Sequence, residues 1–338
     1  MEKQTDIQHA FFELIKKKTP PNISYIEEIA HILNISYDSA YRRIKGNKQL
    51  DFNELSKLSL YYDIPVDLII RKREQEHICF QKLVIKPDSD SFKNWLNTIV
   101  SDLKWISEQK EKQIVYAAKD PPIWYHWNFP DIAAFKIFFW KKTLLQIPEF
   151  ANKKFSITET EEDVEIQNIG NKMLKIAVKI PSVELWNEDT FNILLKQIEY
   201  YWVSGVFEQS DDVIRLCDSL EKWVRHIEKQ AELGLKFIHG EKPIGIENSF
   251  QLYENEVVLN DNTIIVRTMG MSKCYLTYNT LNLLTTTDSS FIESIHNYFK
   301  LLEKKSILIS SCSSKERKRF FNKLITTIDI FKKKVEMG

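Results

Sequence analysis

The sequence lacks the features that mark several large classes of protein. Its four cysteines, Cys79, Cys217, Cys274 and Cys312, lie far apart and form no C-x-x-C pair. This spacing does not fit the usual zinc sites and predicts free thiols in a reducing compartment. The first residues have no basic start followed by an apolar core, and no run approaches the roughly eighteen apolar residues that a membrane span needs. We therefore expect a cytoplasmic protein with no membrane partner.

Charge of one sign and chain-breaking residues are also scarce. The 47 basic residues balance the 47 acidic ones, so any binding to nucleic acid must depend on a local patch and not on bulk charge. Only 8 glycines and 10 prolines in 338 residues favour long helices over a loop-rich all-β fold. The length predicts two or three domains, and the 43% hydrophobic content is sufficient for their cores.

The motifs of common enzyme classes are absent too. The sequence contains no G-x-x-x-x-G-K-[ST], G-x-G-x-x-G, G-x-S-x-G or H-E-x-x-H motif. Its seven histidines are scattered without the spacing of metal ligands, and paired acids such as Asp211-Asp212 stand where helices are expected to begin, which dipole compensation explains. We predict no catalytic residues, no cofactor and no metal, and therefore no enzyme.

What the sequence does contain is a pair of short helical patterns in residues 26–46, IEEIAHILNISYDSAYRRIKG. Apolar residues recur at helical spacing up to Asn34, which tolerates the left-handed backbone that a sharp turn requires. Ser36 is a favoured N-cap for the second helix, and Gly46 suits the end of that helix.

Two further helix starts flank this pair. Ser24 and Glu27 have the spacing of a capping box, and Asp51 and Glu54 repeat the same logic. With a first amphipathic helix and a short fifth one opened by Pro65, the pattern predicts a compact five-helix domain.

These features resemble the Cro/C1-type helix-turn-helix family of phage repressors and bacterial regulators. The resemblance covers residues 6–70, and the matching positions are Ile29, Ala30, Leu33, Ile35, Ser36, Ala40 and Gly46. A fourth helix, DFNELSKLSLYYDI, followed by PVDLII also matches. Two positions depart from the family: Asn34 replaces the usual glycine of the turn, and Arg43 replaces an apolar residue. The second departure leaves open whether the third helix is rotated by part of a turn.

The resemblance implies a sequence-specific, DNA-binding transcriptional regulator whose recognition helix, residues 36–45, lies in the major groove of double-stranded DNA. The expected base contacts are Ser36, Tyr37, Asp38 and Arg42. The expected phosphate contacts are Ser24, Tyr25, Arg43, Lys45, Asn47 and Lys48. One such module buries only about 600–1,000 Å² on DNA, so we expect a homodimer held by the C-terminal part.

The rest of the chain predicts a mainly α protein with a smaller α+β part at its C-terminus. We divide it into residues 1–72 (helix-turn-helix), 73–245 (a helical regulatory and dimerisation region) and 246–338 (a strand-containing module). The first boundary lies in the charged connector 71–76, and the third segment begins with two strand-like runs around Asn260-Asp261-Asn262 that predict a hairpin.

An aromatic-rich segment, residues 123–142, has two interpretations. Trp124, Tyr125, His126 and Trp127 form a candidate pocket for a small-molecule or protein effector, since aromatic walls with a few polar tips suit a ligand. The alternative is a core helix, because phenylalanines follow at helical spacing, and we favour it. For the whole protein, the alternative to a regulator is a protein–protein interaction scaffold whose small helical domain docks a protein partner instead of DNA.

Overall fold

A computed structural model describes residues 7–20, 23–66, 78–157, 164–256 and 261–337. The chain divides into two compact units, Met1–Cys79 and Phe80–Gly338. The first unit has its own hydrophobic core, and the second has a large core cluster and a smaller one. The predicted fifth helix and the connector at 71–76 fall mainly or wholly outside the described residues.

The described part of the first unit contains four helices. They are α1 (Ile7–Lys18), α2 (Tyr25–Leu33), α3 (Tyr37–Ile44) and α4 (Phe52–Tyr62). Each contributes an apolar stripe to one core, represented by Phe11, Ile29, Ala40 and Leu58. All four of these side chains are fully buried, which confirms the amphipathic patterns of the sequence.

Local turn chemistry sets most of the helix ends in this unit. Asn34 adopts the left-handed conformation (φ 54°, ψ 50°), and the Ser36 hydroxyl accepts a hydrogen bond from the Ser39 amide at 3.3 Å. Asp51 and Glu54 form the predicted capping box. The capping box predicted at Ser24 is wrong. The ψ angle of Ser24 is 105°, against 155° at Ser36, and the Ser24 side chain makes no capping hydrogen bond.

The second unit is built around a mixed sheet of eight described strands. The strands are β1 (Gln81–Leu83), β2 (Lys112–Ala118), β3 (Ser182–Trp186), β4 (Phe250–Glu254), β5 (Thr263–Thr268), β6 (Ser272–Tyr278), β7 (Asn282–Thr286) and β8 (Ile307–Leu308). Their order is β1-β7-β6-β5-β2-β3-β4-β8. The central β2, β3 and β4 are parallel, and every other pairing is antiparallel.

Helices connect the parallel strands, as a parallel arrangement requires. The α-helices of this unit are α5 (Ser89–Glu108), α6 (Pro130–Phe139), α7 (Val164–Ala177), α8 (Asp189–Val203), α9 (Asp211–Leu233), α10 (Ser289–Lys304) and α11 (Ser314–Glu336). A 3₁₀ turn at Ile123–Asn128 precedes α6, and a π turn at Trp140–Leu144 follows it. No helix within the described ranges is long and apolar enough to cross a bilayer.

The broad prediction of a mainly helical chain with a strand-containing part is confirmed, but the division at 245/246 is not a boundary. β2 and β3 belong to the segment predicted as helical, and they pair with β5 and β4 of the segment predicted as a separate module. Both missed strands are buried on both faces along most of their length, and periodicity alone does not distinguish such a strand from a buried helix segment. The predicted hairpin is also wrong, because β4 pairs with β3 and β8 while β5 pairs with β2 and β6.

The two faces of the sheet are covered differently. Val115, Val183 and Ile265 point to the face on which α10 packs, through Phe299 and Leu302. The large aromatic core belongs to the other face, where α6, α8 and α9 contribute. The aromatic segment identified in the sequence therefore lies within this larger core.

Candidate nucleic-acid interface

α3 has one buried face and one exposed face. Ala40, Arg43 and Ile44 lie on the buried face, each at most 9% exposed. The exposed face carries the side chains of Ser36, Tyr37, Asp38, Tyr41, Arg42 and Lys45. Residues four apart are neighbours on a helix surface, which places Tyr37, Tyr41 and Lys45 on the exposed side and places Ala40 and Ile44 on the buried side. All four predicted base contacts and one predicted phosphate contact, Lys45, therefore lie together on one accessible surface.

The charges on this face are loosely held. The closest atoms of Arg42 and Asp38, Nη2 and Oδ2, are 3.8 Å apart, and the two side chains are 66% and 82% exposed. An exposed ion pair of this kind contributes at most about 1 kcal/mol, so the Arg42 guanidinium is available to another acceptor. The Lys45 Nζ lies 5.7 Å from the centre of the Tyr41 ring, a cation–π distance.

Arg43 is not part of this surface, and the predicted phosphate contact at this position is wrong. Its side chain is 5% exposed. Its Nε donates to Glu54 Oε2 at 2.9 Å, its Nη2 donates to Oε1 at 2.5 Å, and its Nη1 donates to the Ser39 carbonyl at 3.1 Å. The guanidinium can stand where the resemblance expects an apolar residue because a bidentate carboxylate neutralises it. This hydrogen bonding raises the pKa of Arg43 and lowers the pKa of Glu54.

Glu54 has two roles that join α3 to the start of α4. Besides pairing with Arg43, its Oε2 accepts from the Asp51 amide at 3.3 Å, and its own amide donates to Asp51 Oδ1 at 2.8 Å. Arg43 and Ile44 both point inward, so the inner face of α3 includes the Arg43 guanidinium and still packs the apolar Ile44 side chain. The outward direction of Arg42 and Lys45 follows from this arrangement.

The other predicted phosphate contacts lie at the ends of α2 and α3. Ser24 is exposed before α2, and Tyr25 is half-buried, with burial and then Glu13 raising the pKa of its phenol. Asn47 and Lys48 are exposed just after α3, and their backbone amides donate to the Arg42 carbonyl at 2.8 and 3.2 Å. Both residues are therefore fixed to the end of α3.

Sequence reasoning missed two residues of this region. Tyr41 stands between Tyr37 and Lys45 on the exposed face, and its four-residue spacing from each was a usable signal. Gln8 of α1 donates to the Arg43 and Lys48 carbonyls at 2.6 and 2.8 Å and accepts from the Leu50 amide at 2.8 Å. These contacts bridge 35 to 42 residues of sequence, so no local pattern could reveal them.

Comparison with known proteins adds no further assignment. No protein-family model, curated protein or solved structure matches the chain. The surface on α3 is therefore interpreted from its own geometry.

The candidate effector pocket is not an open pocket. Trp124, Tyr125, His126 and Trp127 lie in the 3₁₀ turn before α6, and their exposure is between 0% and 7%. Their rings pack on those of neighbouring helices, as His126 does on Trp223 at 5.1 Å between ring centres. The favoured alternative, a core helix, is confirmed for α6, in which Phe135, Phe138 and Phe139 are buried, and these four residues lie in the buried turn before it.

Proposed function

We propose that this chain is a sequence-specific DNA-binding transcriptional regulator in which α2, the turn at Asn34 and α3 form a helix-turn-helix. The observation that supports this most is the division of α3 into a fully buried inner face and an outer face of exposed donors and acceptors. A B-DNA major groove is about 12 Å wide and accepts one helix of this kind. The five-helix domain of the Cro/C1 type remains part of the proposal.

Arg42 is the strongest candidate for reading a base. Its guanidinium is 66% exposed and has only a long contact to Asp38, and its fork of donors fits guanine O6 and N7. Ser36, Tyr37 and Asp38, at the start of α3, supply further donors and acceptors for base edges. Tyr41 joins them.

Lys45, Asn47 and Lys48 suit the phosphate backbone, which fixes the register of a helix without reading sequence. Ser24 and Tyr25 stay in the proposal as phosphate contacts from the start of α2. Arg43 is not proposed as a phosphate contact, because its guanidinium is hydrogen-bonded to Glu54.

The contacts behind α3 favour a preformed surface. Arg43 joins α3 to Glu54 of α4, and three hydrogen bonds of Gln8 in α1 hold the last turn of α3 and the chain after it. A recognition surface that is already ordered loses less entropy on binding. We further propose that the protein binds as a homodimer, with half-sites about 10–10.5 base pairs apart.

One observation favours the second candidate, a module that docks a protein. Phe52 and Leu60 of α4 are 82% and 81% exposed, and Tyr61 is 59% exposed. Large exposed apolar side chains can mark a protein interface. All three lie on α4, so substitutions can separate them from the outer face of α3.

The test is selection of duplex DNA from a random pool by the full-length protein, followed by measurement of affinity for the selected site. Arg42→Ala should weaken specific binding by about 5–150-fold, because a bidentate base contact is worth about 1–3 kcal/mol. Arg42→Lys keeps the charge and loses the fork, so it should lose discrimination between sites more than general affinity for DNA.

The matched controls are Leu60→Ser on α4 and Lys57→Ala, which removes one exposed positive charge from α4. Both should leave DNA binding within about twofold, which corresponds to less than 0.5 kcal/mol. If no duplex is enriched, or if Leu60→Ser impairs binding while Arg42→Ala does not, the proposed recognition face is wrong and protein docking is the better account.

A further inference from the structure

The second unit contains a buried acid and a buried base that are not bonded to each other. Glu184 of β3 is fully buried, and its carboxylate accepts from the Tyr125 hydroxyl at 2.8 Å, the Ser182 hydroxyl at 2.9 Å and the Trp186 indole at 3.0 Å. Lys236, which follows α9, is 2% exposed. Its Nζ has no hydrogen-bond partner among the residues that the structure describes.

An ammonium group in this position needs an acceptor. It carries three donors, and buried polar groups in folded proteins are almost always hydrogen-bonded. Burial lowers the pKa of Lys236 to about 8 although the Glu184 carboxylate opposes this, so the amine stays mostly charged at neutral pH. Glu184 supplies an opposite charge but accepts no hydrogen bond from Lys236 Nζ, and the unsatisfied donors indicate that an acceptor from outside the chain belongs beside them.

Other unpartnered donors occur in the core of the second unit. The indole N–H groups of Trp124, Trp127 and Trp223 and the side-chain amide of Asn128 have no partner among the described residues. The rings of Trp124 and Tyr125 are 6.0 Å apart between centres, and the Tyr125 hydroxyl donates to Glu184. An excess of donors favours a ligand rich in acceptor oxygens.

Two buried acceptors accompany these donors. The Nδ1 of His126 lies 2.9 Å from the Ile123 carbonyl, so it carries the proton, and Nε2 is a free acceptor. Burial, and then Lys136, lowers the pKa of His126 to about 3, which keeps the ring neutral. Gln230 Oε1 is the second acceptor without a partner. Most of the unsatisfied groups are nevertheless donors, one of them cationic.

A surface groove borders this region. It has a volume of about 560 Å³, within the usual range for ligand pockets. Lys222, Arg225 and Lys229 of α9 line it together with Asp218 and Glu221, so basic groups are in slight excess. Its inner wall includes His226 and Phe237, and Phe237 is the neighbour of Lys236 in sequence.

The inner wall connects the groove to the buried groups. The Phe237 carbonyl accepts from Gln230 Nε2 at 2.7 Å and lies 3.0 Å from His226 Nε2. Gln230 is the residue whose Oε1 lacks a partner inside.

We propose that the second unit binds a small anion, a carboxylate or a phosphate, beside Lys236, and that the anion enters through the groove between α9 and the segment Phe237–Gly240. Lys236 forms the ion pair with the anion. This inference is independent of DNA binding.

The test is thermal unfolding of the full-length protein followed by tryptophan fluorescence, which reports the second unit because all eight tryptophans lie there. Inorganic phosphate and succinate are titrated separately at constant ionic strength set with sodium chloride. In the wild type, Tm should rise by a few degrees with the logarithm of the concentration of at least one anion. The anion that acts identifies the ligand chemistry.

Two lysine variants and one control locate the site. In Lys236→Met the dissociation constant for the anion should rise at least about 30-fold. Lys222→Met on the groove wall, an exposed position that should not affect folding, should weaken binding several-fold. Lys305→Met, at an exposed position after α10, should respond as the wild type does.

Equilibrium dialysis with radiolabelled phosphate and with radiolabelled succinate gives the stoichiometry, which we expect to be one anion per chain. The proposal is overturned if the wild type responds to neither anion, or if Lys236→Met responds as the wild type does. If Lys236→Met fails to fold, an unchanged affinity in Lys222→Met overturns it instead.

Discussion

Replacing Arg43 with alanine should strongly destabilise the first unit while leaving the stability of the second unchanged. The substitution removes both guanidinium donors from Glu54, whose side chain is only 15% exposed. The Glu54 carboxylate then keeps only the capping-box hydrogen bond from the Asp51 amide, at 3.3 Å. Breaking one partner of a buried ion pair typically costs about 3–5 kcal/mol. A unit the size of Met1–Cys79 has a total stability on the order of 4–12 kcal/mol. The loss is therefore about a quarter of the total or more.

The two units can be followed separately because the first contains no tryptophan. Urea unfolding of full-length Arg43→Ala, monitored by circular dichroism at 222 nm, should show an early loss of helix. Tryptophan fluorescence of the same samples should show the wild-type midpoint. In thermal unfolding the first transition should fall by about 12 °C or more, at roughly 4 °C per kcal/mol for a domain of this size.

Arg42→Ala is the matched control, since it removes the same side chain one position earlier on the exposed face. It should change the stability of the first unit by less than about 1 kcal/mol. The reasoning fails if Arg43→Ala and Arg42→Ala have the same effect on stability. It also fails if Arg43→Ala and Glu54→Gln are additive in a double-mutant cycle, because a direct pair must show coupling.

Three further predictions concern pH, packing and thiol reactivity. The Arg43 hydrogen bonds lower the pKa of Glu54, so the ionised carboxylate stabilises the folded first unit fully at pH values above its unfolded pKa of about 4.3, and this stabilisation is lost as the pH falls through the lower pKa of the folded state. Acid titration followed by circular dichroism should show this loss in the wild type and not in Glu54→Gln. Gly170→Ala should lower the Tm of the second unit by several degrees, because the added methyl would lie 2.0 Å from Trp127 Cδ2. Asn171→Ala, on the exposed side of α7, should change the Tm little, and equal Tm values for the two variants would contradict the packing at Gly170. Iodoacetamide at pH 8 should label the exposed Cys312 and should not label Cys217 or Cys274, because burial raises the pKa of both thiols to about 12. Peptide mass spectrometry measures the labelling, and early labelling of Cys217 or Cys274 would contradict their burial.

Features of the first unit that depend on near neighbours could be predicted from the sequence. Asn34 in the turn, Ser36 as a cap and the Asp51–Glu54 box each follow from interactions across four residues or fewer. Arg43 could not be assigned in the same way, because a basic residue beside Arg42 looks equally exposed until its partner is known. Glu54 lies eleven residues away, and only the fold brings its carboxylate to the guanidinium.

The second unit was harder to predict for a related reason. The run Ile114–Ala118 of β2 suits either a buried strand or a buried helix, β3 has the polar Glu184 at its centre, and the partners of both strands are distant in sequence. The polarity of Glu184 and Lys236 gave no local sign of burial. Their environment depends on Tyr125, Trp186 and the turn after α9, which come together only in the folded core. The aromatic turn at Trp124–Trp127 was recognised as unusual, but its burial depended on packing.

The central claim is that the outer face of α3 lies in a DNA groove, and the salt dependence of binding tests it most directly. The association constant for the selected duplex, measured between about 50 and 200 mM salt, should fall with a log–log slope of about −0.9 for each phosphate contacted. Removing Lys45 should reduce that slope by about one, and Arg42→Ala should leave the slope nearly unchanged while lowering specificity. A flat salt dependence, or a slope that is the same with and without Lys45, would contradict the account.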